Sequence, residues 1–197
     1  MQAAYKTDDA VFESVKRLVC ERLKELSPDL TYHNLDHTLD VTCQSERIAR
    51  EEGVTDEKLL HLLKVAALYH DTGFLRTYAN HEIVSCAIFL EDADRFGFSE
   101  EDRELIKGLI MATRLPQMPA THLQKVICDA DLDYLGRADF LKIGSALRDE
   151  FLTHGVIKSE EEWNALQLRF LTHHQYHTVT SRESREALKK ENIARLI

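Results

Sequence analysis

The chain has 197 residues, 44% of them hydrophobic and 30% charged, with only 7 Gly and 3 Pro. This composition is typical of one globular domain and excludes both a disordered chain and a turn-rich β-sandwich. A formal net charge of −9 without any basic stripe excludes broad binding to a nucleic-acid polymer.

The first predicted element is an amphipathic helix over residues 8–26. Apolar residues recur along it at three- and four-residue steps, and Ser27-Pro28 ends it. The N-terminus lacks a secretory signal pattern, and no apolar run reaches the roughly 20 residues that span a bilayer. We therefore expect a cytoplasmic protein that has no membrane partner.

The four cysteines are scattered along the chain and form no CxxC pair. This spacing favours neither a disulfide framework nor a zinc knuckle. Reduced residues of the hydrophobic core are therefore predicted at Cys20, Cys43, Cys86 and Cys128.

The second predicted helix begins around residues 33–36, within the segment YHNLDHTLDV, and ends near Gly53. His33 and His37 lie four residues apart and share a face if the helix has begun by residue 33. A metalloprotease is disfavoured because the segment lacks the Glu of HExxH. One imidazole could instead bind a metal while the other donates a proton. The alternative is a pair of surface histidines among acidic residues.

The third predicted helix follows an N-cap at Thr55 and ends at His70-Asp71, just before Gly73. Apolar residues nearly encircle it, which predicts a place in the core. Adjacent helical side chains point about 100° apart, but both can turn toward one point where a helix breaks. Buried His and Asp are costly unless they are paired or bind a metal. A solvent-exposed helix end is the alternative.

Two helices are predicted next, at residues 80–96 and at 99–113 behind a Ser99-x-x-Asp102 cap. His81, at the start of the first, is a candidate for a second metal or for substrate binding. It would stay exposed if Asn80 caps that helix. Arg114 is a candidate for binding a substrate phosphate, and a surface ion pair is its alternative role.

The helix predicted at residues 121–135 carries three alternating carboxylates. Asp129, Asp131 and Asp133 do not form a calcium loop, because Tyr134 and Phe140 occupy the positions that need Gly and Glu. Asp131 lies on the apolar stripe of the helix and would need a cation there. That cation could be a metal or an arginine.

The remaining helices are predicted at residues 137–154, at 159–174 behind Ser159-x-x-Glu162, and at 182–195. Arg137 is a second candidate for binding phosphate. The segment THHQYHTVTSR could form a pocket wall or a solvated helix end. Because no strand periodicity is found, we predict an all-α fold, a single domain over 1–197 with a metal-site core at about 30–140 and a C-terminal helical portion at about 141–197.

Four side chains from three separate segments together form a plausible metal site. Imidazole and carboxylate ligands suit Zn, Mn, Fe or another divalent first-row metal and leave positions open for water and substrate. The set is His37, His70, Asp71 and Asp131.

The order His, His-Asp, Asp in this set resembles the HD superfamily of metal-dependent phosphohydrolases, over about residues 30–140. More narrowly, residues 32–41 are similar to the YHNxxHxxDV signature of cyclic-nucleotide phosphodiesterase catalytic domains. The resemblance implies a phosphodiesterase-like helical bundle, with His33 as the proton donor and His37 as a metal ligand. It implies Zn, Mn, Fe, Ni or Co at the main site, and Asp71 bridging to a second metal, commonly Mg.

The activity expected from this resemblance is hydrolysis of a P–O bond in a small phosphorylated substrate, a nucleotide or cyclic nucleotide, by metal-activated water. Asp71 would orient the water. The chain is shorter than the phosphodiesterase domains, and no motif selects Gln167 or Gln175 as the residue that holds a base. The alternatives are a non-catalytic metal or nucleotide sensor and a di-iron oxygenase. The oligomeric state is left open, with a homodimer as one option.

Overall fold

The protein folds as a bundle of α-helices. The computed structural model describes the backbone of residues 2–197 and the side chains of residues 9–197, and in this part of the chain no strand is present. The all-α prediction is therefore confirmed. The helices are α1 (Gln2–Leu23), α2 (Leu35–Glu51), α3 (Glu57–Tyr69), α4 (His81–Phe96), α5 (Glu100–Ala112), α6 (His122–Asp131), α7 (Phe140–Thr153), α8 (Glu160–His173) and α9 (Val179–Ala194), and two 3₁₀ helices occupy Thr72–Leu75 and Asp133–Gly136.

Helix α3 lies at the centre of the main hydrophobic core, as its encircling apolar residues predict. Leu63, Val65, Ala66, Ala67 and Leu68 have no accessible surface. Helices α1, α2 and α5 pack around α3, so burial of all its faces stabilises a helix that would be insoluble alone. Its C-terminal end, which carries His70 and Asp71, is thereby fixed inside the molecule.

A second, smaller apolar cluster joins the C-terminal helices to the core. It contains Tyr32, Leu132, Tyr134, Leu135, Phe140 and Leu171. Tyr32 immediately precedes the first predicted histidine and Leu132 immediately follows Asp131. The cluster therefore connects α7 and α8 to two of the segments that carry candidate ligands.

Several predicted helix boundaries were wrong by a few residues, each for a local reason. The third helix is capped by Asp56 instead of Thr55, because the Asp56 carboxylate accepts the N–H groups of Lys58 and Leu59. The last helix begins at Val179 instead of 182, because Thr178 caps it by accepting the N–H of Ser181. The helix predicted at 121–135 ends at Asp131 and continues as a 3₁₀ helix.

The cysteine prediction is only partly correct. Cys86 and Cys128 are buried, Cys20 is half-buried, and Cys43 is exposed on α2. In the described residues, no helix carries an apolar stretch long enough to cross a membrane.

Candidate metal centre and central cavity

The first turn of α2 places His37 at the centre of the molecule. Asn34 is the N-cap, and its side-chain oxygen accepts the main-chain N–H groups of Asp36 and His37 at 3.0 and 3.2 Å. The helix therefore starts at Leu35, after His33. The condition under which both histidines would share a helical face is therefore not met, because His33 lies in the bent segment before the cap.

A break at the end of α3 turns two adjacent side chains toward one point. His70 keeps helical dihedrals, but Asp71 has φ −108° and ψ 4°, and the chain then enters a 3₁₀ helix. Ser85 of α4 fixes this break, since its hydroxyl donates to the carbonyl of His70 at 2.6 Å and accepts the N–H of Gly73 at 2.8 Å. Gly73 has to be glycine here, because a Cβ would lie 2.0 Å from the carbonyl oxygen of His81.

The predicted ligands from the three segments come together. Nε2 of His37 and Nε2 of His70 are 3.4 Å apart. Asp71 Oδ2 lies 3.3 Å from the first nitrogen and 3.1 Å from the second, and Asp131 Oδ1, on the last residue of α6, lies 3.3 and 3.6 Å from them. We call this cluster of His37, His70, Asp71 and Asp131 the metal centre.

The metal centre has the chemistry that a divalent cation requires. Ligand atoms of His37, His70 and Asp131 lie 3.3 to 3.6 Å from one another, and metal–ligand bonds of about 2.1 Å place neighbouring ligands at similar separations. Nδ1 of His70 is 2.7 Å from the carbonyl of Ala67 and donates its hydrogen to it. Nε2 therefore carries no hydrogen and presents its lone pair to the metal centre. Asp71 Oδ2 is buried and accepts no hydrogen bond from any described residue. These residues fit a divalent metal.

The potential inside the metal centre is strongly negative and favours a cation. Burial opposes the charged form of His37, but the carboxylates of Asp131 and Asp71 outweigh burial and raise its pKa. Burial alone would raise the pKa of Asp131, but the imidazoles of His37 and His70 outweigh burial and lower it to about 2. The cluster thus binds positive charge, as a proton or a metal.

His33 lies beside the metal centre and is held by a carboxylate that the sequence did not reveal. Its Nδ1 contacts Oε1 of Glu150, a residue of α7 with no accessible surface. The other oxygen, Oε2, accepts the main-chain N–H groups of Tyr32 and His33 at 2.9 and 3.0 Å, and Tyr78 donates its hydroxyl to Oε1 at 3.1 Å. Burial raises the pKa of Glu150, but the contacts with His33 outweigh burial and lower it. Glu150 is therefore an ionised partner.

An aromatic stack fixes two histidines on this side of the metal centre. Phe74, in the 3₁₀ helix after Asp71, stacks on His33 with a centroid distance of 4.3 Å and on His81 with 4.0 Å. Nε2 of His81 lies 3.2 Å from Oδ1 of Asp71. The alternative of an exposed His81 depended on a cap at Asn80, but the Asn80 side chain makes no cap hydrogen bond and its backbone is left-handed, with φ 54°.

A cavity of about 420 Å³, which we call the central cavity, opens onto His33, Asp71, His81 and Asp131. Its deeper wall is apolar and comes from helices α7 and α8, with the side chains Leu147, Phe151, Trp163, Leu166, Phe170 and Leu171. Gln167 is the exception in this wall. It is 7% exposed, and its side-chain amide makes no hydrogen bond to any described residue.

The two predicted phosphate-binding arginines have different surroundings. Arg114 lines the mouth of the central cavity, where its guanidinium donates to Oδ1 of Asn80 at 2.8 Å. Arg137 forms ion pairs with Asp40 at 2.6 Å and Asp139 at 2.7 Å, and it lines a separate cavity beside His37. Only Arg114 therefore has a guanidinium at the central cavity that pairs with no carboxylate of the described residues.

The other two carboxylates of the 129–133 segment face the C-terminal part of the chain. Asp129 accepts the main-chain N–H groups of His177 and Thr178, both at 2.8 Å, at the start of α9. Asp133 is fully buried and pairs with Arg47 at 3.1 Å and Arg185 at 2.9 Å. Neither carboxylate reaches the metal centre.

Comparison with known proteins shows which family model matches the segment that carries these four residues. The family model for the HD domain matches residues 34–133, slightly more than half of the chain. A crystal structure of a structural-genomics target from Lactobacillus plantarum is similar with a TM-score of 0.65 at 16% sequence identity, over 94% of this chain and 94% of that one, which shows a shared fold. No curated protein matches the chain.

Proposed function

The chain belongs to the HD-domain family, and from this premise we propose that it is a metal-dependent phosphohydrolase that cleaves a P–O bond in a small phosphorylated substrate. The observation that carries the proposal is the convergence of His37, His70, Asp71 and Asp131 on one point, at the end of a cavity that also exposes His33. An acid beside a cation-binding cluster is the arrangement that phosphate-ester hydrolysis needs.

The metal ligands and His33 would have separate roles in the reaction. A divalent cation held by the metal centre supplies positive charge that lowers the pKa of a bound water and neutralises phosphate oxygens. Asp71 has a buried oxygen without a hydrogen-bond donor, which suits it to accept a hydrogen bond from the attacking water. His33 uses Nδ1 to contact Glu150, so its Nε2 is the nitrogen that would donate a proton to the leaving oxygen.

The shape of the central cavity supports a nucleotide or cyclic nucleotide as the substrate. Phe151, Trp163 and Phe170 provide aromatic surface for a flat base. Among them Gln167 presents an amide without a partner, and an amide can both donate to and accept from the edge of a base. Gln175, the other glutamine considered from the sequence, is exposed and lies outside this cavity.

His81 favours a second cation beside the first. Its Nε2 is 3.2 Å from Asp71 Oδ1, while Asp71 Oδ2 faces the two imidazoles of the metal centre. Asp71 would then bridge two ions. This arrangement keeps a di-iron oxygenase as the second candidate function, which would show iron-dependent oxygen consumption instead of phosphate release.

The proposal is tested by a phosphatase and phosphodiesterase screen over nucleotides with Mn, Mg, Co, Ni and Zn, together with elemental analysis of the purified protein. Asp71→Ala is expected to lose metal content and turnover together. His33→Ala is expected to keep the metal and lose about 10²–10⁴-fold in rate, the usual contribution of a positioned acid.

His122→Ala provides the matched control, because His122 is a half-exposed histidine on α6 far along the helix from Asp131. It should retain both metal and activity. Metal-loaded protein that hydrolyses no phosphomonoester and no phosphodiester in the screen, or His33→Ala and Asp71→Ala variants with unchanged rates, would refute the proposal.

A further inference from the structure

A second cavity of about 540 Å³ adjoins the central cavity. We call it the histidine cavity. The two cavities share the side chains Leu115, Leu132, Leu166 and Phe170 as common walls. The two cavities are therefore direct neighbours on either side of these apolar side chains.

The polar lining of the histidine cavity consists of hydrogen-bond donors and potential cations. Within the described residues its polar side chains are Gln117, Arg169, His173, His174, Gln175 and His177, and no carboxylate lines it. The central cavity, in contrast, is lined by Asp71, Glu82 and Asp131. A lining free of carboxylates is unusual in a chain with a formal net charge of −9, and it favours an anionic ligand.

Arg169 lines the histidine cavity with a guanidinium that no carboxylate of the described residues neutralises. Its guanidinium forms no ion pair or hydrogen bond with any described residue. Arg47, Arg137 and Arg185 instead surround the buried Asp133. Arg169 is thus a free planar donor beside the cavity, and a guanidinium binds phosphate oxygens in pairs.

His174 also lines this wall of the histidine cavity. Its Nδ1 faces the ammonium of Lys189 at 3.5 Å, so Nδ1 accepts and Nε2 carries the hydrogen. That Nε2 is buried and has no hydrogen-bond partner in the described part of the chain. Nδ1 of the preceding residue, His173, contacts the carbonyl of Arg169 at 2.7 Å, which holds its ring against the same helix end.

The histidine cavity begins one side chain away from the metal centre. Nε2 of Gln117 lies 3.5 Å from Oδ2 of Asp131, and Gln117 also lines the histidine cavity. The histidine cavity therefore adjoins the metal centre at Asp131, where the reacting phosphate of a substrate would lie.

We propose that the histidine cavity binds a second phosphate group of the substrate, so that the preferred substrate is a bisphosphorylated small molecule, such as a nucleoside bisphosphate. This inference rests on the proposed phosphohydrolase function for the reacting phosphate. The second phosphate is not cleaved; it contributes binding energy at a distance from the reacting bond.

The experiment compares adenosine 5′-monophosphate with adenosine 3′,5′-bisphosphate, in turnover and in calorimetric binding, for the full chain and two charge-reversal variants. Arg169→Glu changes the proposed site. Arg95→Glu, at an exposed arginine near the end of α4, makes the same change in net charge elsewhere. We expect the wild type to favour the bisphosphate by about 10-fold or more in kcat/KM, as a charge-assisted contact would give.

Arg169→Glu should remove this preference through KM and leave the monophosphate rate within about twofold, while Arg95→Glu should leave the preference intact. Equal loss for both ligands, or no preference in the wild type, would overturn the inference. The binding arm separates this outcome from failure of the proposed function. Bisphosphate that binds more tightly through Arg169 without any phosphate release would support the second site and refute the hydrolase.

Discussion

Replacing Glu150 with Gln tests whether His33 acts as an acid held by a buried carboxylate. The carboxylate of Glu150 accepts from four donors: two main-chain N–H groups, the hydroxyl of Tyr78 and Nδ1 of His33. An amide has the same shape but only one accepting oxygen. If that oxygen serves the two main-chain groups, the amide NH₂ faces His33, whose Nδ1 has to become an acceptor.

The size of the effect follows from this loss of charge. Hydrogen bonds to a buried charged group contribute about 1.5–3 kcal/mol, and neutral ones about 0.5–1.5 kcal/mol, so Glu150→Gln should destabilise the fold by about 1–3 kcal/mol. With Nδ1 facing an amide, His33 loses the charged partner that holds its ring in place. The rate should fall by about 10²–10³-fold, within the range of general acid catalysis.

The assay measures kcat, KM and metal content for Glu150→Gln beside Tyr78→Phe, which removes one neutral donor from the same carboxylate. We expect kcat to fall in Glu150→Gln with unchanged metal content and a nearly unchanged KM, and Tyr78→Phe to stay within about 10-fold of the wild type. A Glu150→Gln protein with full kcat, or one that loses its metal in parallel with its activity, would refute this role for Glu150.

Three further predictions concern residues around the two cavities. Gly144→Ala places a Cβ 2.7 Å from the amide nitrogen of Gln167. The flexible Gln167 side chain should move aside with little loss of stability. KM for a nucleotide should then rise about 3- to 10-fold, while KM for p-nitrophenyl phosphate should not change. Asp129→Asn weakens the link to the start of α9, so the free energy of unfolding should drop by about 2–3 kcal/mol and Tm by about 4–10 °C, and a variant that also lost metal binding would show that Asp129 has a further role. Burial lowers the pKa of His174 from 6.5 to about 3, so the unfolded chain binds a proton there that the folded chain does not, and stability is lost as the pH falls below about 6.5. In denaturant titrations the free energy of unfolding of the wild type should fall from pH 7.5 to pH 5, and about 2 kcal/mol of that fall should be absent in His174→Asn. The same fall in both proteins would contradict this.

The sequence was sufficient to predict the fold class and most helices, because periodicity and caps are local. Ser99 and Asp102 form the predicted capping box, and Ser159 caps α8 as expected. The boundaries that were missed depended on a choice between neighbouring cap residues, such as Thr55 and Asp56. A helix capped by one of these residues differs little in free energy from a helix capped by its neighbour, and tertiary contacts decide which residue is the cap.

The metal centre was predictable because each of its segments departs from its own pattern. His70 and Asp71 end an otherwise apolar helix, and Asp131 lies on an apolar stripe. Each is costly alone and is stabilised by the others. His81 was misjudged, since its position depends on Gly73 and on the left-handed backbone at Asn80. Neither feature leaves a clear signal in one sequence.

Three residues to which our proposals assign roles lie outside the segment that matches the family model. The family match covers residues 34–133, whereas Glu150, Gln167 and Arg169 belong to α7 and α8. These helices reach the metal centre through the apolar cluster that contains Tyr32 and Leu132. The side chains of α7 and α8 are therefore where a search for the substrate of this protein should begin.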